Sequence, residues 1–291
     1  MTSKGRFSFQ FGAAGFVSRY REIGDFKWQA SDNTADCKNV PEGHKCIWIV
    51  CMPKNDSGIK VWKCLATATL ALRTGDRQMI FGLEDGELSS AYNCFDFHWS
   101  ESSFNNAMTT AGEGASGQIT IQIFESFITD LSDRKNSLVK NGADVAQIHV
   151  EGKVMWLSKN VLRCHSPLFD MMFLTNKPYV INGVKLVDFL HFLMFVYGLD
   201  INPQGDSVHY LLKLAERFQC KMVTQLCEEF MRNSLEVPLE TKLRLAERYK
   251  LHKLMIEAIY KTPAEEWKST PWVQELSGMA TDLINQKLSL C

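Results

Sequence analysis

Leu212-Lys213-Leu214-Ala215-Glu216-Arg217-Phe218 returns, 31 residues on, as Leu243-Arg244-Leu245-Ala246-Glu247-Arg248-Tyr249. The positions match identically or through Lys/Arg and Phe/Tyr exchanges. Each copy runs on into a second apolar stretch, Met222 to Met231 and Leu251 to Ile259. A repeat of this length with helical spacing implies paired helices stacked on one another, an architecture for recognition rather than for enclosing a reaction. In the first copy Val208, Leu211, Leu212, Ala215 and Phe218 share one helical face, after Asp206 and Ser207 as N-cap residues. Met222, Val223, Leu226, Cys227, Phe230 and Met231 make the stripe of its partner helix. Pro238 suits the first turn of the second pair, where a missing N–H costs nothing. Gln219-Cys220 and Lys250-Leu251 leave room only for tight corners, so each copy is predicted to be a helical hairpin. Two such repeats are too few to stand alone and are expected to lean on a neighbouring domain.

The chain of 291 residues is long enough for two domains of ordinary size. Its 32 basic and 33 acidic residues leave no electrostatic footprint for nucleic acid. The polar start Met1-Thr2-Ser3-Lys4-Gly5-Arg6 argues against a secretory signal. Val184 to Leu199 is apolar but carries Lys185, Asp188 and His191 and is short for a membrane span, so a buried helix is expected there. Nine cysteines without a framework spacing point to a reducing compartment, cytoplasm or nucleus, with Cys164, Cys220 and Cys227 as thiols on apolar helical faces. Cys37, His44, Cys46, Cys51 and Cys64 come nearest to a metal signature, yet contain no Cys-x-x-Cys pair; no metal and no cofactor are expected.

The first half reads as β structure. Cys46 to Met52 is an apolar strand, Pro53 to Gly58 a turn cluster, and Ile59 to Leu72 the return strand, with Trp62, Cys64, Ala66, Ala68, Leu70 and Leu72 on one face. Phe95 to Trp99 alternates, and Gln118 to Phe124 is a clean strand after the Gly-rich loop Gly112 to Gly117. Short strands with no long helix indicate an antiparallel sandwich over residues 1–129. Residues 130–143 turn polar and mark a linker. Beyond it, Asp144 to Val150 and Val154 to Leu157 form a hairpin about Glu151-Gly152-Lys153. Helices follow at Ser158 to Cys164, Pro167 to Leu174 and Lys185 to Tyr197, then the repeated pairs and a last weak helix or tail from Thr262.

Asp144-Val145, Glu151-Gly152-Lys153, Leu157-Ser158-Lys159-Asn160-Val161-Leu162 and His165-Ser166-Pro167-Leu168-Phe169-Asp170-Met171-Met172-Phe173 together resemble the opening of a BTB/POZ domain. Val187-Asp188-Phe189-Leu190, Phe195-Val196-Tyr197-Gly198 and both Leu-Ala-Glu-Arg hairpins fit its second half and the helix pair after it. Local detail is closest to the large nematode-type MATH-BTB group. The first half resembles a degenerate MATH (TRAF-like) sandwich through Phe26-Lys27-Trp28, Trp48 to Cys51, Trp62-Lys63-Cys64 and Ile119 to Phe124.

The resemblance implies a multidomain chain: an antiparallel β-sandwich, an α+β BTB/POZ domain at 144–234, and a helical extension at 235–291. It further implies a non-enzymatic adaptor in which the sandwich holds a protein substrate while the BTB half forms a homodimer and grips a cullin scaffold. A short dimer helix is expected at Leu131 to Val139. The alternative is a non-ligase BTB scaffold for dimeric or transcription-linked complexes. There are departures from the pattern. Trp156 stands where the family carries a His. Leu174-Thr175-Asn176-Lys177-Pro178-Tyr179 lacks the family's hydrophobic-x-Glu element for cullin, and Ser102-Ser103-Phe104 replaces the Trp-Gly-Phe of the substrate groove. Cullin contact is therefore expected to shift to Phe173, Leu174 and Tyr179 and the groove between the hairpins. Substrate contact is assigned to Tyr92, Trp99 and Phe104.

Neither a nucleophilic nor a metal site is expected from the remaining Cys and His residues. Arg163-Cys164-His165-Ser166 places a nucleophile beside a base, but adjacent helical residues point apart and no third group orients the His. His149, His191 and His209 lack partners at metal-ligand spacing and are expected to be ordinary core or surface histidines.

Overall fold

A computed structural model describes residues 2–10, 16–32, 42–74, 77–111, 116–174, 178–200, 202–268, 271–276 and 278–290. The chain divides into two compact units, Met1–Ser137 and Leu138–Cys291. Among the described residues no helix is long and apolar enough to cross a membrane.

The first unit is built from β1 (Ser3–Gln10), β2 (Arg21–Ile23), β3 (Phe26–Ser31), β4 (His44–Pro53), β5 (Lys60–Thr74), β6 (Arg77–Ser89), β7 (Cys94–Ser100), α1 (Glu101–Ala111) and β8 (Ser116–Asp130). Two four-stranded antiparallel sheets form, in the orders β1-β8-β5-β6 and β2-β3-β4-β7. Alternation along β5 turns Trp62, Cys64, Ala66, Ala68 and Leu70 inward, where they join Ile119, Ile121 and Ile123 of β8. From the other sheet Phe26, Trp28, Ile47, Ile49, Cys51 and Phe97 complete one shared core.

Three expectations need correction here. First, β4 and β5 are not a hairpin, because β4 pairs with β3 and β7 while β5 pairs with β6 and β8. The segment between them crosses from one sheet to the other through Gly58 at φ +83°, where an added Cβ would lie 2.1 Å from Asp130 Oδ2. Second, α1 is a helix in a half read as all β. Ser100 Oγ accepts from the Ser103 N–H at 3.3 Å and Glu101 stands in the first turn, both N-terminal signals. Third, no helix forms over Leu131 to Val139. Asp130 Oδ1 accepts from the Ser132 N–H at 3.0 Å and Asp133 Oδ1 from the Lys135 N–H at 2.8 Å. These local bonds hold the backbone in turns, and Leu131 is buried.

The second unit opens with β9 (Val145–Val150) and β10 (Lys153–Ser158), joined by a turn with Glu151 and Gly152 both at positive φ, +48° and +73°, as a tight hairpin requires. Then come α2 (Lys159–His165), α3 (Pro167–Met172), β11 (Tyr179–Ile181) and α4 (Leu186–Val196). β11 pairs in parallel with β9, giving the order β10-β9-β11. Glu151 Oε2 accepts from the Leu186 N–H at 2.8 Å, serving the start of α4 where Lys185 offers no cap. Phe189 and the run His191 to Val196 are buried on all sides of α4, which explains its continuous apolarity without a membrane.

The repeat forms two hairpins, α5 (Gly205–Arg217) with α6 (Lys221–Asn233) and α7 (Leu239–Tyr249) with α8 (His252–Lys261). Gln204 is the N-cap residue of α5, ahead of the Asp206 and Ser207 expected there, and its N–H donates to Ser207 Oγ at 2.9 Å; Pro238 is the N-cap of α7 rather than its first helical residue. Leu211, Leu212, Leu243 and Ala246 are fully buried, while Leu226, expected in the core, is half-buried. After α8 the chain forms α9 (Ala264–Lys268), a 3-10 turn at Pro271–Glu275 and α10 (Gly278–Ser289), so of the helix or tail expected there the helix forms.

Candidate protein-interaction surfaces

In the second unit, Ser158 caps α2, accepting from the Val161 N–H at 3.2 Å, and its hydroxyl donates to Asp144, which also accepts from the Asn160 N–H at 2.8 Å. Ser166 caps α3, with Pro167 in the first turn, and its hydroxyl donates to the Phe218 carbonyl at the end of α5. These bonds hold a short aromatic column. Phe169 stacks on Phe218 at 4.8 Å and on Phe173 at 5.9 Å, and Tyr179 meets Phe173 edge-on at 5.4 Å.

This geometry separates the three residues assigned to cullin contact. Phe173 is 4% exposed and belongs to the column, Tyr179 is half-buried, and Leu174 is 77% exposed. Met171, one turn earlier, is 58% exposed and joins Leu174 as an outward apolar pair that the sequence reading missed. The helical stripe could have shown it, since Leu168, Phe169 and Phe173 fall inward and leave Met171 on the other side. Of the segment 174–179, residues 175–177 lie outside the described residues.

Beside the column lies a cleft of about 350 Å³ lined by Asn141, Ala143, Asp144, Lys159, Asn160, Arg163 and Phe173. The Arg163 guanidinium sits 5.9 Å from the Phe173 ring centroid, and its Nε is 3.1 Å from Asp170 Oδ1. That Nε makes no aligned hydrogen bond, so the contact is an electrostatic one on a partly solvated surface and contributes little to stability. Cys164 is exposed rather than packed on an apolar face, and Ser166 is committed to capping.

In the first unit, the residues assigned to substrate stand on different elements. Tyr92 precedes β7 and packs half-buried against the core; its hydroxyl donates to Asp96 Oδ2 at 3.4 Å. Burial, then the charges of Cys94 and Asp96, push its ionisation above the usual tyrosine range. Trp99 lies near the far end of β7, stacked on Phe97 at 5.8 Å and against Gly82 of β6. At about 3.3 Å per extended residue the two stand roughly 20 Å apart. Phe104 falls in α1 rather than on a strand, and its side chain lies outside the described residues. Exposed apolar groups in this unit include Ile80 and Leu83 of β6, an edge strand whose Gly82, Glu84, Asp85 and Gly86 gave no strand signal.

No cluster of His, Cys, Asp or Glu suited to a metal occurs among the described residues, and Cys37 lies outside them. Cys46 is disulfide-bonded, a departure from an all-thiol expectation, while Cys51, Cys64, Cys164, Cys220 and Cys227 are thiols. Cys51 and Cys64 touch inside the sandwich, and burial, with the Cys64 contact added, pushes the Cys51 thiol far up. His191 is a satisfied core histidine, its Nδ1 2.5 Å from Tyr210 Oη and its Nε2 3.5 Å from Asp200 Oδ2.

Comparison with known proteins matches the BTB/POZ domain model to residues 136–235. The chain is 23% identical over 252 residues to BTB and MATH domain-containing protein 38 of Caenorhabditis elegans, covering 81% of this chain and 63% of that protein. It is 23% identical over 271 residues to protein 39 of the same series and organism, covering 87% and 78% respectively. Protein 36 is 30% identical over 147 residues, covering 47% of this chain and 44% of the relative. A shorter likeness, 32% over 85 residues and 12% of the relative, joins it to mouse GDNF-inducible zinc finger protein 1.

Proposed function

From the premise that the chain is a BTB/POZ-domain protein related to the nematode BTB and MATH domain-containing proteins, we propose that it is the substrate-recognition adaptor of a cullin-based ubiquitin ligase. In this reading residues 7–125 act as a MATH-like module for a protein substrate. The BTB half self-associates and holds the cullin scaffold, in the cytoplasm or nucleus. The observation that carries it is the outward apolar pair Met171 and Leu174, beside the buried Phe169–Phe173–Phe218 column. Interface energy concentrates in a few apolar anchors held rigidly, which this pair supplies without the missing acidic residue.

Phe173 supports the anchor from below; its truncation would empty the core and test stability rather than binding. Co-purification scored for cullin, with Leu174→Asp and Met171→Asp as the paired comparison, tests the proposal. Capture by the unmodified chain and loss with either variant supports it; equal capture by all three removes the surface from the account. A second reading, a BTB scaffold in transcription-linked complexes, is favoured by the likeness to a zinc finger protein and predicts no cullin in the same pull-down. Both readings predict a homodimer, which light scattering at micromolar concentration would report as twice the monomer mass of 33.1 kDa.

A further inference from the structure

The groups that satisfy the end of α8 come from far along the chain. Lys287 Nζ of α10 donates to the carbonyls of Ile259 at 3.0 Å, Tyr260 at 2.8 Å and Thr262. Those acceptors are the unpaired carbonyls at a helix C-terminus, where the backbone dipole favours a cation. α10 packs on α8 and α9 through a narrow stripe: Ala280 and Ile284 are fully buried and Leu283 and Leu288 half-buried. Its opposite side, with Met279, Asp282, Asn285 and Gln286, faces solvent. The hairpin helices are held far more heavily, with Val208, Leu211, Leu212, Leu214 and Ala215 buried on α5 alone.

We infer that the α8–α9 face is a helix-docking groove that α10 occupies as a displaceable strap, exchangeable for the same segment of a second copy. An apolar floor takes a small residue and a branched one four positions on, and a carbonyl ring takes a lysine three positions further. A segment fastened by two buried side chains and one ammonium opens before the hairpins beneath it. The inference is independent of the adaptor reading, since it concerns a different face and needs no cullin.

The probe is a labelled peptide of residues 278–290, titrated against the full chain and against two strap-weakened forms, Ile284→Asp and Lys287→Glu. Far-UV circular dichroism reports whether each stays folded. The peptide is expected to bind the strap-weakened chains at least tenfold more tightly than the unmodified one, whose groove is filled. A peptide carrying the Lys287→Glu change is expected to lose that binding. In the unmodified chain the amides of α10 are expected to exchange at least tenfold faster than those of α7 and α8. Peptide binding that is absent from a folded strap-weakened chain, or equal for all three chains, overturns the inference. So does exchange in α10 as slow as in α8, a result readable even if Ile284→Asp fails to fold.

Discussion

Gln219 and Lys250 hold the same left-handed backbone, φ +52° and +56°, at the corners of the two hairpins. At the first corner the Cys220 N–H donates to Ala215 O at 2.8 Å; at the second the Leu251 N–H donates to Ala246 O at 2.8 Å. One motif has been used twice, and in neither copy by glycine, the residue that adopts this conformation without a steric cost.

Replacing either residue by glycine is therefore predicted to stabilise the second unit by up to about 1 kcal/mol, the left-handed penalty of an L-residue less the added freedom of the unfolded chain. Gln219→Gly and Lys250→Gly should shift the midpoint of urea denaturation upward by similar amounts. A downward shift in either would mean that its side chain is needed in the native state.

Leu212→Ala should cost roughly 2–5 kcal/mol, the usual loss on emptying a fully buried leucine site. Leu226→Ala, at a half-buried position, should cost clearly less. Equal losses from the two in equilibrium unfolding would contradict the placement of the hairpins against the core.

Much of the second unit was legible because its signals are local and periodic. Glu151-Gly152 and the repeated heptapeptide each announce a turn or a helix within a few residues. The first unit was less so. Whether Cys46–Met52 and Ile59–Leu72 pair with each other or lie in facing sheets depends on strand partners distant in sequence, and both arrangements bury the same side chains. The run after Asp130 misled because its apolar spacing suits a helix, whereas two aspartates take the backbone N–H groups that a helix would use differently. At the site, residue type suggested that the aromatics Phe173 and Tyr179 would be the anchors. Burial reversed the order, since an aromatic column needs its rings inside and leaves Leu174 and Met171 outside.

Asp130 gives the first unit an acid-sensitive clasp. Burial pushes its carboxyl up, but hydrogen bonds from the Ser132 hydroxyl and the Ser132 and Ile59 N–H groups, with the charge of Lys60, more than reverse this and hold it below the ordinary carboxylate range. A depressed native pKa contributes stability that is present above the unfolded value near 3.9 and is lost as pH falls through the native value. Asp130→Asn should therefore lower stability at neutral pH and lose less on acidification than the unmodified chain. Parallel pH profiles of the two denaturation midpoints would count against the clasp.

The central claim is that this chain joins a cullin scaffold through Met171 of α3 and Leu174 just beyond it. The most direct measurement is a calorimetric titration of the full chain with the cullin region that receives BTB adaptors, repeated with Leu174→Asp. The account predicts binding at roughly 10 µM or tighter, weakened at least tenfold by the substitution, about 1.4 kcal/mol. No heat of binding by the unmodified chain at tens of micromolar would contradict it, and the scaffold reading would take its place.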